Sequence, residues 1–162
     1  MITRRQILNA SVSGVALLAA GPLVKIEAWA AAKKIVHTDP EWRALLTSDQ
    51  YAVLRQEGTE RPFSSELLEE HRPGTFACAG CDLPLFSSKT KFDSGTGWPS
   101  FWAPIEGAII TKVDTTFGMT RTAVMCAQCE GHLGHVFEDG PKPTGLRYCM
   151  NGVALKFEPN AG

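Results

Sequence analysis

Apolar and polar positions divide this chain into three unlike stretches. Up to residue 30 the apolar residues form one short run, from about Ala10 to Val24, behind Thr3-Arg4-Arg5-Gln6. From Asp39 the pattern is helical. Asp39-Pro40-Glu41-Trp42 offers a capping Asp with Pro at the first helical position, so a helix is expected to run to Leu46. Thr47-Ser48-Asp49-Gln50 offers a capping box before Tyr51-Ala52-Val53-Leu54, with Gly58 placed to end that second helix. Ser65 to Glu70 predicts one more short helical turn.

After Pro73-Gly74 the period changes. β-rich stretches are expected at Thr75–Cys78, Leu83–Phe86, Lys89–Phe92, Ala108–Val113, Thr120–Cys126, His132–Phe137 and Arg147–Phe157, with Gly and Pro supplying the turns. In the last of these, Val153, Leu155 and Phe157 alternate with Ala154, Lys156 and Glu158, giving one buried and one wet face. No helical pattern separates the strands, as the crossovers of a parallel sheet would require. The expected fold is mainly β: a small N-terminal helical cap on an antiparallel β domain.

Length and charge narrow this further. The 162 residues have room for one domain and a short extension. The formal net charge is -1, and Lys and Arg nowhere form a run or stripe, which argues against a nucleic-acid partner. Paired arginines, an apolar run and the small residues of Ala28-Trp29-Ala30 read as a signal peptide over residues 1–30 of the twin-arginine type, implying export to a bacterial periplasm. The apolar run is too short and too interrupted to span a bilayer comfortably. An N-terminal helix that frays or anchors at a membrane is the alternative. Residues 31–38 then form a linker and residues 39–158 the domain. The mature protein is expected to be a monomer with no stable membrane association.

Five cysteines carry the chemistry. Cys78-Ala79-Gly80-Cys81 and Cys126-Ala127-Gln128-Cys129 have the spacing at which a tight turn aims two sulfurs at one ion, and two such turns complete a tetrahedral site. The reading is one structural zinc per chain, held by Cys78, Cys81, Cys126 and Cys129, with Gly80 and Gly131 giving the knuckles backbone freedom. Local redox dithiols or cross-linking disulfides are the alternatives. Cys149 remains without a partner, in Arg147-Tyr148-Cys149-Met150-Asn151. In one continuous strand Arg147, Cys149 and Asn151 share a face, and Arg147 can lower the thiol pKa. His132 and His135 supply candidate proton donors, and Trp98 lies on a Gly-rich loop. A small buried cysteine and a core-facing Trp are the plain readings of the same residues.

Taken together, the segments Glu57–Phe63, the first knuckle with Pro84-Leu85-Phe86, Asp93–Phe101, Gly131–Phe137, Asp139-Gly140-Pro141, Pro143-Thr144-Gly145 and Arg147-Tyr148-Cys149 resemble the B-type methionine sulfoxide reductase family. The resemblance covers roughly residues 39–158. It implies a pair of small antiparallel sheets with short helices, and an enzyme reducing methionine-R-sulfoxide in proteins or peptides. It also implies Cys149 as the attacking thiolate, His132 and His135 as active-site histidines, Asn151 as an orienting partner and Trp98 as the wall for the substrate methyl group. Arg147 and Asp139 match in supporting positions. In many relatives a recycling cysteine stands before the Trp-Pro; this chain has Thr96. A Cys149 sulfenic acid would then need an external thiol reductant, such as a thioredoxin-like protein, or a recruited zinc cysteine. A zinc-ribbon-like binding module would explain the knuckles but not Cys149, Trp98 and the histidines; a thiol–disulfide oxidoreductase would use one Cys-x-x-Cys pair.

Overall fold

The computed structural model describes residues 34–160. The signal-peptide reading and the first residues of the expected linker lie outside them. The end of that linker lies against the second knuckle: Ile35 N–H donates to the Gln128 carbonyl at 3.0 Å, and Lys34 pairs with Glu130.

Two short helices come first, α1 (Asp39–Leu45) and α2 (Ser48–Gln56). The cap of α1 is Thr38 rather than Asp39, because Glu41 turns back to accept from the Thr38 N–H at 2.7 Å and from its hydroxyl. Thr47 and Gln50 close the expected box on α2. That helix ends with Glu57, not Gly58, in the left-handed conformation (φ 58°).

Among the described residues nine strands follow: β1 (Gly74–Cys78), β2 (Pro84–Ser87), β3 (Lys91–Phe92), β4 (Ser100–Phe101), β5 (Ile109–Asp114), β6 (Arg121–Cys126), β7 (His132–Phe137), β8 (Arg147–Met150) and β9 (Leu155–Pro159). They form two antiparallel sheets, β2-β1-β9 and β3-β4-β8-β7-β6-β5. The two-sheet, mainly β architecture is therefore as expected.

Three local readings are corrected. Lys89 lies in a 3-10 turn (Ser88–Thr90), where Ser87 Oγ accepts its N–H at 3.3 Å, so only Lys91–Phe92 is strand. The two residues of β4 were not foreseen, being too short to show a period. The expected strand Arg147–Phe157 is two strands in different sheets, divided by a 3-10 turn at Gly152–Ala154. Glu60 divides it. Its carboxylate accepts the N–H groups of Gly152 at 2.5 Å and Val153 at 2.9 Å, replacing a neighbouring strand as their partner.

The core lies between the sheets. Phe76 of β1 meets Phe101 of β4 edge-on at 5.0 Å, and Phe86 of β2 stacks on Phe101 at 4.4 Å. Leu133, Val124 and Met150 of the larger sheet are fully buried in the same cluster. Because strand side chains alternate, burying Met150 and Phe101 turns Cys149 and Ser100 to the other face. That face carries the chemistry.

Candidate active site

The knuckles close first. The four sulfurs of Cys78, Cys81, Cys126 and Cys129 lie within 4.8 Å of one another and could hold a metal ion. Cys78 faces Cys129 at 3.7 Å and Cys81 faces Cys126 at 3.4 Å, so the two knuckles interleave rather than forming two separate dithiols. The turns are alike. Asp82 N–H donates to Cys78 O, and Glu130 N–H to Cys126 O, each at 2.9 Å. The left-handed residues are Asp82 (φ 59°) and Glu130 (φ 56°), one after each second cysteine, and not Gly80 or Gly131. Gly131 is needed for space instead, since a Cβ there would lie 2.9 Å from Leu54 Cδ2.

Cys149 sits half-buried on β8, directly opposite Ser100 of β4 and His135 of β7. Residues paired across an antiparallel ladder share a face, so Ser100, Cys149 and His135 form one row. A Cβ on Gly134 would overlap the Cys149 carbonyl oxygen, which makes glycine the residue that lets β7 approach β8 here. Two histidines three residues apart should point to opposite faces of a regular strand. They do not. Between Val124 and Met125 the β6–β7 register shifts, making Leu133 an extra residue and turning His132 to the face of His135, with ring centroids 5.3 Å apart.

The two rings have different surroundings. His135 Nε2 lies 2.8 Å from Asp114 Oδ2, and Asp114 also takes the Thr116 N–H and hydroxyl and Arg121 Nη2. The Thr116 and His135 contacts hold the Asp114 carboxyl well below the usual carboxylate range. His132 is only 2% exposed, and neither ring nitrogen has a hydrogen-bond partner among the described residues. Burial, and after it the neighbouring His135, hold its pKa down to about 4, so the ring is neutral near pH 7.

Around the sulfur, Thr96 Oγ1 lies 3.9 Å from Cys149 Sγ, at the position expected from the resemblance to matter for recycling. Arg147 makes two 2.8 Å bonds to Asp139, stands 4.4 Å over the Phe137 ring and also acts on the Cys149 sulfur. Arg147 lowers the thiol pKa as expected, but burial outweighs it. Burial pushes Cys149 up, against smaller opposite effects of Thr96, Arg147 and Ser100.

Asn151 lies just beyond β8, which ends at Met150. It turns inward, with Nδ2 donating to the Leu133 carbonyl at 3.1 Å and Oδ1 accepting from Glu60 N–H at 3.0 Å. Trp98, half-buried on the loop before β4, donates its Nε1 to the Glu60 carbonyl at 3.2 Å. Glu60 thus holds Trp98, Asn151 and the chain beyond β8 together, and was not singled out from the sequence; nor was Asp114. A cleft of about 650 Å³ between α2, residues 58–67 and Gly152–Leu155 lies against Glu60 but is not lined by Cys149, Trp98 or either histidine.

The SelR domain family matches residues 46–159. The chain belongs to that family. Proteins named peptide methionine sulfoxide reductase MsrB share high identity with it: 61% over 131 residues in Pseudomonas putida (strain W619), 80% of this chain and 98% of the relative. The counterpart in Bradyrhizobium diazoefficiens is 57% identical over 127 residues, covering 78% and 91%. That of Thiobacillus denitrificans is 54% identical over 123 residues, covering 75% and 93%. The chain is an oxidoreductase of this family.

Proposed function

We propose that this enzyme reduces methionine-R-sulfoxide in oxidised proteins or peptides, with Cys149 as nucleophile. The observation that carries the reading is the row with Cys149 opposite a carboxylate-oriented His135, beside a buried His132 whose nitrogens have no partner among the described residues. Asp114 occupies Nε2 of His135, leaving Nδ1 to serve substrate. The Cys149 thiolate attacks the sulfoxide sulfur while His135 delivers a proton to its oxygen. The protonated oxygen migrates from the substrate sulfur to the Cys149 sulfur, the old S–O bond and the transient S–S bond break, and methionine departs, leaving Cys149 as a sulfenic acid. His132 contributes a neutral ring, and Trp98, steadied by Glu60, walls the methyl group. Asn151 positions the end of β8. An external dithiol, such as a thioredoxin-like protein, returns Cys149 to the thiol, becoming a disulfide and releasing water.

The four knuckle cysteines hold one structural zinc. Tetrahedral zinc–thiolate bonds of about 2.3 Å place sulfurs about 3.8 Å apart. The cross-knuckle pairs at 3.7 and 3.4 Å suit that spacing. Four thiolates leave no open position, so the ion contributes to folding and takes no part in the reaction. Residues 1–30 direct twin-arginine export to a periplasm, an assignment checked by N-terminal sequencing of the exported protein.

Turnover of the separated R and S epimers with dithiothreitol tests the reading. Reduction of R alone, lost in Cys149→Ser with zinc retained, is expected; a preference for S, or full activity in that variant, would refute it.

A further inference from the structure

Three hydroxyls form a connected file at the Cys149 sulfur, with Thr96 and Ser100 both acting on it and Ser94 joining them. Thr96 Oγ1 is 3.9 Å from Sγ, Ser94 Oγ is 2.8 Å from Thr96 Oγ1, and Ser100 Oγ is 2.7 Å from Ser94 Oγ. The file ends at the Trp98 carbonyl, 3.1 Å from Ser100 Oγ. Ser100 is 1% exposed, so its hydroxyl depends on these partners rather than on solvent.

Each hydroxyl owns one proton and can accept as well as donate. With Cys149 as a thiol, S–H donates to Thr96, Thr96 to Ser94, Ser94 to Ser100, and Ser100 to the Trp98 carbonyl. Every donor is used. With Cys149 as a thiolate, the sulfur can only accept, so Thr96 and Ser100 turn their protons to sulfur and Ser94 donates to Thr96. The carbonyl of Trp98 then loses its bond, and the sulfur gains charge-assisted ones.

We propose that Thr96, Ser94 and Ser100 form a reversible hydroxyl chain that stabilises the Cys149 thiolate, Thr96 and Ser100 as donors to the sulfur and Ser94 as the positioning residue between them. Arg147 on β8 divides its guanidinium between Asp139 and the sulfur and adds a cationic contribution beside the hydroxyls; His135 on β7 is tied to Asp114 of β5, which also holds Arg121 of β6, and His132 is neutral. From β4 and its preceding loop, the hydroxyls of Thr96 and Ser100 meet the sulfur. The proposal assumes that Cys149 is the reacting thiol, but its test does not need sulfoxide reduction.

The test is the pH dependence of iodoacetamide alkylation of the metal-loaded protein, with Cys149→Ser subtracting reaction at the knuckles. On the alkaline-rising limb, Thr96→Val should alkylate about tenfold more slowly than wild type, a midpoint displaced upward by about one unit. Ser94→Ala, whose side chain is one hydroxyl removed from the sulfur, should alkylate about threefold more slowly, and Thr96→Ser should stay within about twofold. A Ser94→Ala midpoint equal to wild type, with or without a change in melting temperature, would overturn the chain. So would a Thr96→Val midpoint at or below the wild-type value. Failure to reduce either epimer while these shifts appear would count against the proposed function and leave the hydroxyl chain standing.

Discussion

Glu60 and Asn151 are joined across 91 residues of chain, the Glu60 N–H donating to Asn151 Oδ1 at 3.0 Å. Around that bond, one residue uses every polar group it has. Its carbonyl takes Trp98 Nε1, and its carboxylate takes Gly152 and Val153 as the chain leaves β8. Glu60→Gln keeps one acceptor and loses the other, leaving a backbone N–H unpaired. We expect a stability loss of about 1–2 kcal/mol by urea unfolding with an unchanged slope. Turnover should fall with it, since Trp98 and the end of β8 lose a common support. Wild-type values for both would show that Glu60 holds nothing.

The metal site makes a separate prediction. Replacing any one of Cys78, Cys81, Cys126 or Cys129 by Ser leaves three thiolates and releases two turns 45 or more residues apart. Loss of the metal by elemental analysis, with a large fall in melting temperature, is expected. Cooperative melting of metal-free wild type at an unchanged temperature would remove the structural role.

His132 should make the fold acid-sensitive. Its pKa is held to about 4 in the folded protein, against 6.5 when exposed. The unfolded chain therefore binds the extra proton between these values, so stability is complete above about pH 6.5 and is lost as pH falls toward 4. The loss reaches about 3 kcal/mol. His132→Phe lacks this titration, so the wild-type minus variant difference in unfolding free energy should shrink by that amount from pH 7 to pH 4. Parallel curves would mean that His132 does not titrate as its burial requires. Because the knuckle thiolates are common to both proteins, their own acid response cancels.

Much of this was legible in the chain itself. Two Cys-x-x-Cys pairs, the cap at Thr47 and the longer strands β5, β6 and β7 announce themselves because each depends on neighbours in sequence. What stayed hidden depends on distant partners. Nothing local to Arg147–Phe157 shows that a carboxylate at Glu60 will break it into two strands. The spacing of His132 and His135 points to opposite faces until the register shift against β6 is known. Asp114 meets His135 only through the order of the sheet, and the hydroxyls of Ser94 and Ser100 read as ordinary turn residues until β4 is paired with β8. Arg147 beside Cys149 suggested a depressed thiol pKa. Burial decides the direction instead, outweighing the opposite pull of Arg147, Thr96 and Ser100.

The central claim is that Cys149 alone takes the oxygen from an R-sulfoxide. Its most direct test is the intact mass of the protein after a single turnover without reductant, using a peptide of each separated epimer. The account predicts one added oxygen from the R epimer only, on Cys149, captured by dimedone, with no intramolecular disulfide. A loss of two hydrogens, with a peptide linking Cys149 to Cys78, Cys81, Cys126 or Cys129, would contradict it and make the metal site the source of the resolving thiol.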